Sequence, residues 1–156
     1  MLVLVDGVLP EVFALATLFG VRAVQHNKAV STSKMAETFR NADMIALHYR
    51  QSLTKLMDVY ADRPYALVLE EDLEVAPDFL RYFSQTASLM DRDDTLLCVS
   101  AWNDNGYAHA SSDPAQLYRT EFFPGLGWLL RRSLWLEIAP KWPTCCDGWS
   151  WDLWLR

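Results

Sequence analysis

The stretch Tyr65-Ala-Leu-Val-Leu69, followed at once by Glu70-Glu71-Asp72, decides the fold class. Five consecutive apolar residues, preceded by Pro64 and ended abruptly by three acids, have the length and the boundaries of a strand. A strand that is apolar at every position is covered on both faces, as in sheets flanked by helices. The sequence therefore predicts an α/β protein with carboxylates at the end of a buried strand.

Short apolar runs and amphipathic helical patterns alternate on both sides of this strand. Further strands are predicted at Leu2–Val5, Val21–Gln25, Leu96–Ala101 and Gly125–Leu130. Helices are predicted at Pro10–Phe19, Asn41–Tyr60, Pro77–Leu89 and Ser133–Ile138, with a polar loop at Asn27–Ser33 and a Trp-rich helical turn at Gly148–Arg156. On the longest helix, the apolar stripe predicted to face the core consists of Ile45, Tyr49, Leu53, Leu56 and Tyr60.

This alternation indicates βαβ units and a mainly parallel central sheet. In such sheets, ligands bind beyond the carboxyl ends of the strands. The strand ends point to three candidate regions: Asp6, the acids at 70–72, and the loop at 102–105.

Composition narrows the function classes. The 156 residues suit one domain, and 51% hydrophobic residues suffice for a packed core. A net charge of −6 without a basic stripe argues against a nucleic-acid partner. The apolar runs are too short for a membrane span, and the first residues lack the pattern of a signal peptide. The three cysteines, Cys98, Cys145 and Cys146, form no zinc or redox motif.

The acidic segment Glu70-Glu71-Asp72 is the first candidate for chemistry. Like charges packed at a strand end repel each other unless a cation is present, and carboxylate oxygens favour Mn²⁺, Mg²⁺ or Ca²⁺. A diphosphate substrate would add oxygen ligands, so that one protein carboxylate could suffice. The alternative is a solvated acidic turn before the helix at Pro77, where acids also suit the helix dipole.

Two other motifs and the histidines have open interpretations. Asp152, surrounded by tryptophans, is either a partly desolvated general base in a sugar pocket or the polar side of a core helix. Gly125 and Gly127 permit either a close ligand or an ordinary tight turn. The histidines, His26, His48 and His109, have no zinc spacing, and their residue context favours structural or surface roles.

Several blocks, in order along nearly the whole chain, resemble the β-1,2-N-acetylglucosaminyltransferases. They are Leu69-Glu-Glu-Asp-Leu-Glu-Val-Ala-Pro-Asp-Phe79, Cys98-Val-Ser-Ala-Trp-Asn-Asp104, Tyr118-Arg-Thr-Glu121, Phe123-Pro-Gly-Leu-Gly-Trp-Leu-Leu130 and Lys141-Trp-Pro143. Some blocks are closer to the branch acting on O-mannosyl glycans and others to the branch acting on N-glycans. The acceptor glycan therefore stays open.

The resemblance implies a fold and a reaction. The fold is of the GT-A nucleotide-sugar-binding type, and the reaction is inverting transfer of N-acetylglucosamine from UDP-GlcNAc to a mannose 2-hydroxyl. By position in the matching blocks, Asp72 is the manganese ligand, Glu70 contacts the donor sugar, and Glu71 is a further substrate-binding residue. Asp152 is the catalytic base, with Trp151 lining the sugar pocket. Asp6 matches an acid that holds the uracil, and His48 a histidine near the donor ribose.

The resemblance also implies that residues 1–156 are a partial catalytic domain, without the family's first strand–helix unit and its C-terminal acceptor-side segment. Cys98 matches a cysteine whose usual partner lies beyond Arg156. The family implies a Golgi membrane location on the lumenal side, through an anchor outside this sequence. The alternative is a remnant that binds metal and UDP without catalysis.

Overall fold

The computed structural model describes residues 1–26 and 37–143. The described chain forms two compact units, one of residues 1–26, 37–61 and 139–143 and the other of residues 62–138. The predicted loop at 27–33 lies outside the described residues, and so do Cys145, Cys146, Trp151 and Asp152.

The first unit starts with a parallel pair of strands. The strand β1 (Leu2–Asp6) is followed by the helix α1 (Pro10–Leu18) and the strand β2 (Arg22–His26). The pairing register runs from Leu2 opposite Arg22 to Asp6 opposite His26. Proline in the first turn suits the start of α1, and Gly20, at φ +64°, turns the chain back into β2. This βαβ unit confirms the parallel pairing predicted from the alternation.

The long helix α2 (Glu37–Val59) packs against β1, but the predicted apolar stripe was partly wrong. Its buried apolar residues are Ala46, Tyr49, Leu53 and Met57, whereas Ile45 is 48% exposed. The buried face therefore has Ala46 in place of the predicted Ile45, and Met57 in place of the predicted Leu56, which is half-buried. The contact with Trp142 explains why alanine occupies position 46. The buried indole Nε1 of Trp142 donates to the Ala46 carbonyl at 2.9 Å. A small side chain allows that ring to approach the helix backbone.

The second unit contains a three-stranded sheet. Its elements are β3 (Tyr65–Val68), α3 (Phe79–Arg92), β4 (Cys98–Ser100), β5 (Trp128–Arg131) and α4 (Arg132–Ile138); a short 3₁₀ turn, Ala139–Lys141, follows and belongs to the first unit. The strand order is β3-β5-β4, and β5 is antiparallel to both neighbours. The predicted mainly parallel sheet was therefore wrong: the described strands form a mixed α/β structure with one parallel pair and one antiparallel sheet.

The reason for this error is the position of β5. The β3–α3–β4 segment does place its two strands parallel to each other, since both are antiparallel to β5. The irregular segment at 101–127 then reverses the direction of the chain. As a result, β5 runs antiparallel to β3 and β4 and lies between these two strands. Local sequence patterns specify the strands but not this long-range insertion.

The core of the second unit lies between the sheet and α3. Phe83, Met90 and Leu129 form its buried centre. Leu67 and Val99 lie on either side of Leu129 in the pairing register, so that one apolar row crosses all three strands on the α3 face. Trp128 and Leu130 alternate with Leu129 and are fully buried on the other face. The continuous apolar pattern thus reflects two covered faces, as predicted.

The helices of the described residues are not membrane-spanning candidates. Within residues 1–26 and 37–143, none combines the length and the apolar character that crossing a bilayer requires.

Candidate functional site

Three segments, two of them polar, meet at the same edge of the antiparallel sheet. Because β3 and β4 share one direction, their carboxyl ends lie together, and Val68, Trp128 and Ser100 form the last paired row. The backbone N–H of Ala101 extends this ladder by donating to the Gly127 carbonyl at 2.8 Å. The acidic segment, the loop after β4 and the turn before β5 therefore start from one edge. The sequence predicted the first two of these positions from strand ends alone.

The acidic segment presents two of its three carboxylates to solvent. Glu71 and Asp72 are exposed within a turn, and Glu70 is half-buried. Within residues 1–26 and 37–143, no group of three or more His, Cys, Asp or Glu side chains is placed to hold a metal ion. The described side chains thus do not form a closed metal site. An exposed carboxylate suits a cation that takes its other oxygen ligands from a substrate or water.

The loop at 102–105 is held by its own side chains. The Trp102 Nε1 donates to Asp104 Oδ1 at 2.8 Å, and the Asn105 N–H donates to Asn103 Oδ1 at 2.9 Å. Asn103 Nδ2 also donates to Ser111 Oγ at 3.2 Å. These bonds hold an indole ring, 48% exposed, at the same sheet edge from which the acidic segment starts. An exposed ring with neighbouring amide groups is suited to contact a sugar face.

Arg119 anchors the long segment between β4 and β5. Its guanidinium donates to Asp93 Oδ2 at 2.7 Å and to the Thr95 hydroxyl, at the turn between α3 and β4. The Thr95 hydroxyl and the Arg119 guanidinium, as hydrogen-bond donors, lower the pKa of Asp93 to about 2. Arg119 in the Tyr118-Arg119 motif therefore has a structural role, which its sequence context did not reveal.

Gly125 and Gly127 form a turn with positive φ angles of +77° and +64°. A Cβ atom at Gly127 would lie 3.1 Å from Cε2 of Phe79, the first residue of α3. The close neighbour of this glycine is thus an aromatic side chain of the core. The turn interpretation of the motif is sufficient to explain both glycines.

We expect Gly127→Ala to destabilise the protein more than Gly20→Ala. Both glycines have a φ of +64°, where an L-residue costs about 1–2 kcal/mol. A Cβ at Gly20 would contact nothing within 4 Å, so that only Gly127 adds the Phe79 contact. Urea unfolding of the two variants measures the difference, and equal losses would show that Phe79 moves aside freely.

A second polar cluster lies in the first unit, at the carboxyl ends of β1 and β2. Asp6 and His26 are paired residues at the ends of the two strands. Ser52, on α2, places its Oγ 3.3 Å from His26 Nε2 and 3.5 Å from His48 Nε2. The two imidazole rings meet edge to face with centroids 5.5 Å apart. The structure therefore brings together Asp6 and His48, which were predicted, with His26 and Ser52, which were not.

Burial and neighbouring groups together favour the neutral form of His26. Burial and then the nearby His48 lower its pKa from the ordinary value, against the opposing effect of Asp6, while Lys55 lowers it further. His26 was expected to have a structural or surface role, although the strand-end rule that selected Asp6 applies to it equally. No sequence motif pointed to Ser52. It lies one turn after His48 on α2, and its relevance comes from its contact with the distant His26.

Cys98 lies on the face of β4 opposite to the apolar row of Val99. Its thiol is free within the described residues, and burial raises its pKa to about 12. A thiol with so high a pKa is not a nucleophile at neutral pH. The disulfide partner implied by the resemblance stays a prediction.

Comparison with known proteins shows the family. The model of the GNT-I family matches residues 18–156, which include the acidic segment, the loop at 102–105 and the Trp-rich end. The chain belongs to the GNT-I family. The resemblance to β-1,2-N-acetylglucosaminyltransferases predicted from the sequence blocks is thereby confirmed.

One curated relative of this GNT-I family member is the alpha-1,3-mannosyl-glycoprotein 2-beta-N-acetylglucosaminyltransferase of Arabidopsis thaliana. The two are 50% identical over 113 residues, which cover 72% of this chain and 24% of the relative. The chain thus spans about a quarter of the length of that relative.

The structure explains one further GNT-I block. Trp142 of Lys141-Trp142-Pro143 is 2% exposed and is bonded to the α2 backbone, which fixes the end of the described chain to the first unit. This block, like Arg119, stabilises the fold.

Proposed function

We propose that this chain contributes to the inverting, metal-dependent transfer of N-acetylglucosamine from UDP-GlcNAc to the 2-hydroxyl of a mannose residue. The observation that carries the proposal is the placement of the acidic segment and the loop at 102–105 at one sheet edge in a GNT-I family chain. The name of the Arabidopsis relative supports the sugar, the linkage and the mannosyl acceptor. A GT-A fold is proposed with this function.

Asp72 is the proposed protein ligand of Mn²⁺. Its exposed carboxylate in the turn after β3 fits a cation that is shared with the two phosphates of the donor. When bound, the cation would neutralise the charge that develops on the departing diphosphate. Glu70 and Glu71, next to Asp72, are proposed to contact the N-acetylglucosamine.

Asp6 and His48 are the proposed contacts to the uridine. Asp6 is a hydrogen-bond acceptor at the carboxyl end of β1, and a carboxylate can accept from the uracil N–H. His48 is proposed to lie near the ribose. Both belong to the polar cluster of the first unit, which gives their assignment a shared structural setting.

Asp152 and Trp151 complete the proposal from their matching positions in the sequence, outside the described residues. Inversion is a single displacement, so that one base suffices. Asp152 would remove the proton from the acceptor hydroxyl as that oxygen attacks the anomeric carbon. Trp151 would line the sugar pocket and limit the access of water.

Residues 1–156 are proposed to be part of a catalytic domain that acts on a mannose-terminated N-glycan or O-mannosyl glycan. A lumenal Golgi location, through a membrane anchor outside this sequence, accompanies that proposal. The second candidate function is a remnant that binds metal and UDP without transfer.

Calorimetric titration with UDP-GlcNAc, in the presence and absence of Mn²⁺, tests the proposal. We expect binding that requires the metal, followed by product formation when a mannose-terminated glycan is added. Metal-dependent binding without product would support the remnant instead. A folded chain that binds no UDP-GlcNAc under either condition would contradict both functions for this chain.

A further inference from the structure

The Ser52 hydroxyl lies between two histidine nitrogens but has only one proton. Its Oγ is 3.3 Å from His26 Nε2 and 3.5 Å from His48 Nε2. When Ser52 donates its proton to one ring, it accepts from the other, and in that arrangement one of the two Nε2 atoms carries a proton and the other does not. The two tautomers are coupled through the serine.

The environment of His48 selects one of the two arrangements. His48 Nδ1 is buried, and it has no hydrogen-bond partner within residues 1–26 and 37–143. A buried N–H without an acceptor is more costly than a buried nitrogen lone pair, because the N–H loses a strong bond to water. The proton of neutral His48 therefore resides on Nε2, from which it is donated to Ser52, and Ser52 donates to His26 Nε2.

We propose that His26 is a positioning residue for the donor site, which acts through Ser52 to fix the tautomer and the ring orientation of His48. The proposal rests on the assignment of His48 to the uridine in the proposed function. The chain of bonds runs from β2 to α2, and each end is held by regular structure. His26 thus prepares the ring of His48 without contacting the donor itself.

The arrangement requires neutral His26. When His26 is protonated, its Nε2 becomes a donor and no longer accepts from Ser52, and donation from Ser52 to His48 Nε2 would place the His48 proton on the buried Nδ1. The groups acting on His26 are Asp6 from β1 and His48 and Lys55 from α2. Helix α1, which also contacts β2, has Glu11 as its one charged residue, and Glu11 is exposed.

The pH dependence follows with a defined sign. Burial and His48 lower the pKa of His26, so that the neutral form, and with it the full positioning effect, is present above the ordinary value of 6.5. The effect is lost as the pH falls below that value and passes through the lowered pKa. Affinity for UDP-GlcNAc should therefore decrease toward acidic pH.

Ring ¹⁵N NMR of the whole chain tests the tautomer directly and needs no ligand. The chain has three histidines, and His109→Gln, in an exposed loop of the other unit, helps to assign their signals and serves as the control. At about pH 7.5, where neutral histidine predominates, we expect the His48 proton on Nε2. Ser52→Ala should give a mixture of both tautomers, and so should His26→Ala. A proton on Nδ1 of the wild type, or unchanged tautomers in both variants, would overturn the proposal.

Titration with UDP-GlcNAc and Mn²⁺ then measures the consequence for the donor. Ser52→Ala and His26→Ala should each weaken binding about fivefold at about pH 7.5, as expected for one neutral hydrogen bond. His26→Gln keeps an acceptor for Ser52 but does not titrate, so that it should retain affinity and lose the acid-side decrease. His109→Gln should match the wild type in both respects.

The two experiments separate the failure of this proposal from the failure of the proposed function. A wild-type chain that binds no UDP-GlcNAc contradicts the function, while the NMR result still decides whether the serine couples the tautomers. Donor binding that is unaffected by His26→Ala contradicts the positioning role, even where the function is correct.

Discussion

Asp72→Ala is expected to abolish the Mn²⁺-dependent part of UDP-GlcNAc binding. The described side chains form no cluster of three metal ligands, and the exposed Asp72 is the proposed link between the protein and the cation. Without that carboxylate, the protein would lose its proposed ligand for the cation. We expect the affinity measured by calorimetry with Mn²⁺ to fall by a factor of about 100 or more, since even loss of an outer-shell partner costs 10–100-fold.

Glu74→Ala is the matched control for this result. Glu74 is an exposed acid two residues beyond Asp72 in the same segment, so that its removal changes the net charge equally. We expect it to retain metal-dependent binding. Equal losses in the two variants would indicate that the acidic segment attracts the cation by charge alone. Unchanged binding by a folded Asp72→Ala variant would show that the cation is held elsewhere.

The strands and helices of the described chain were predictable because each has a strong local pattern. The alternation of apolar runs with amphipathic segments located every one of them, including the short α4. The topology of the second unit was not predictable in the same way. The insertion of β5 between β3 and β4 depends on pairing between residues about 30 to 65 positions apart, for which local periodicity carries no information.

The candidate site residues also fall into those that a local sequence signal locates and those that only long-range contacts bring together. Strand ends are a local signal, and they located Asp6 and the acidic segment correctly as polar residues at sheet edges. The contact of His26 with Ser52 joins residues 26 positions apart, and only the folded chain shows it. On α2, helical spacing alone did not distinguish Ala46 from Ile45 as the inner residue, because the deciding neighbour is the distant Trp142.

Trp128→Ala is expected to have the largest effect on stability. Trp128 is 0% exposed, occupies the central strand of the antiparallel sheet and meets the ring of Phe123 edge to face at 5.0 Å. Removing so large a buried side chain costs about 3–5 kcal/mol. That is a large part of the roughly 5–15 kcal/mol that stabilises a typical domain. Urea unfolding followed by circular dichroism should show a midpoint lower by about 2 M.

Trp102→Ala provides the same chemical change at the surface. Trp102 is 48% exposed, and its indole bonds only within its own loop among the described residues. We expect its unfolding midpoint to remain close to that of the wild type, since exposed substitutions usually change stability by about 0.5 kcal/mol or less. Similar losses for both tryptophans would mean that the loop at 102–105 is part of the folded core rather than a surface at the sheet edge. A large loss of stability for Trp128→Ala alone would establish that the burial of the side chain on β5, and not the loss of a tryptophan as such, determines the stability of the sheet from which the acidic segment starts.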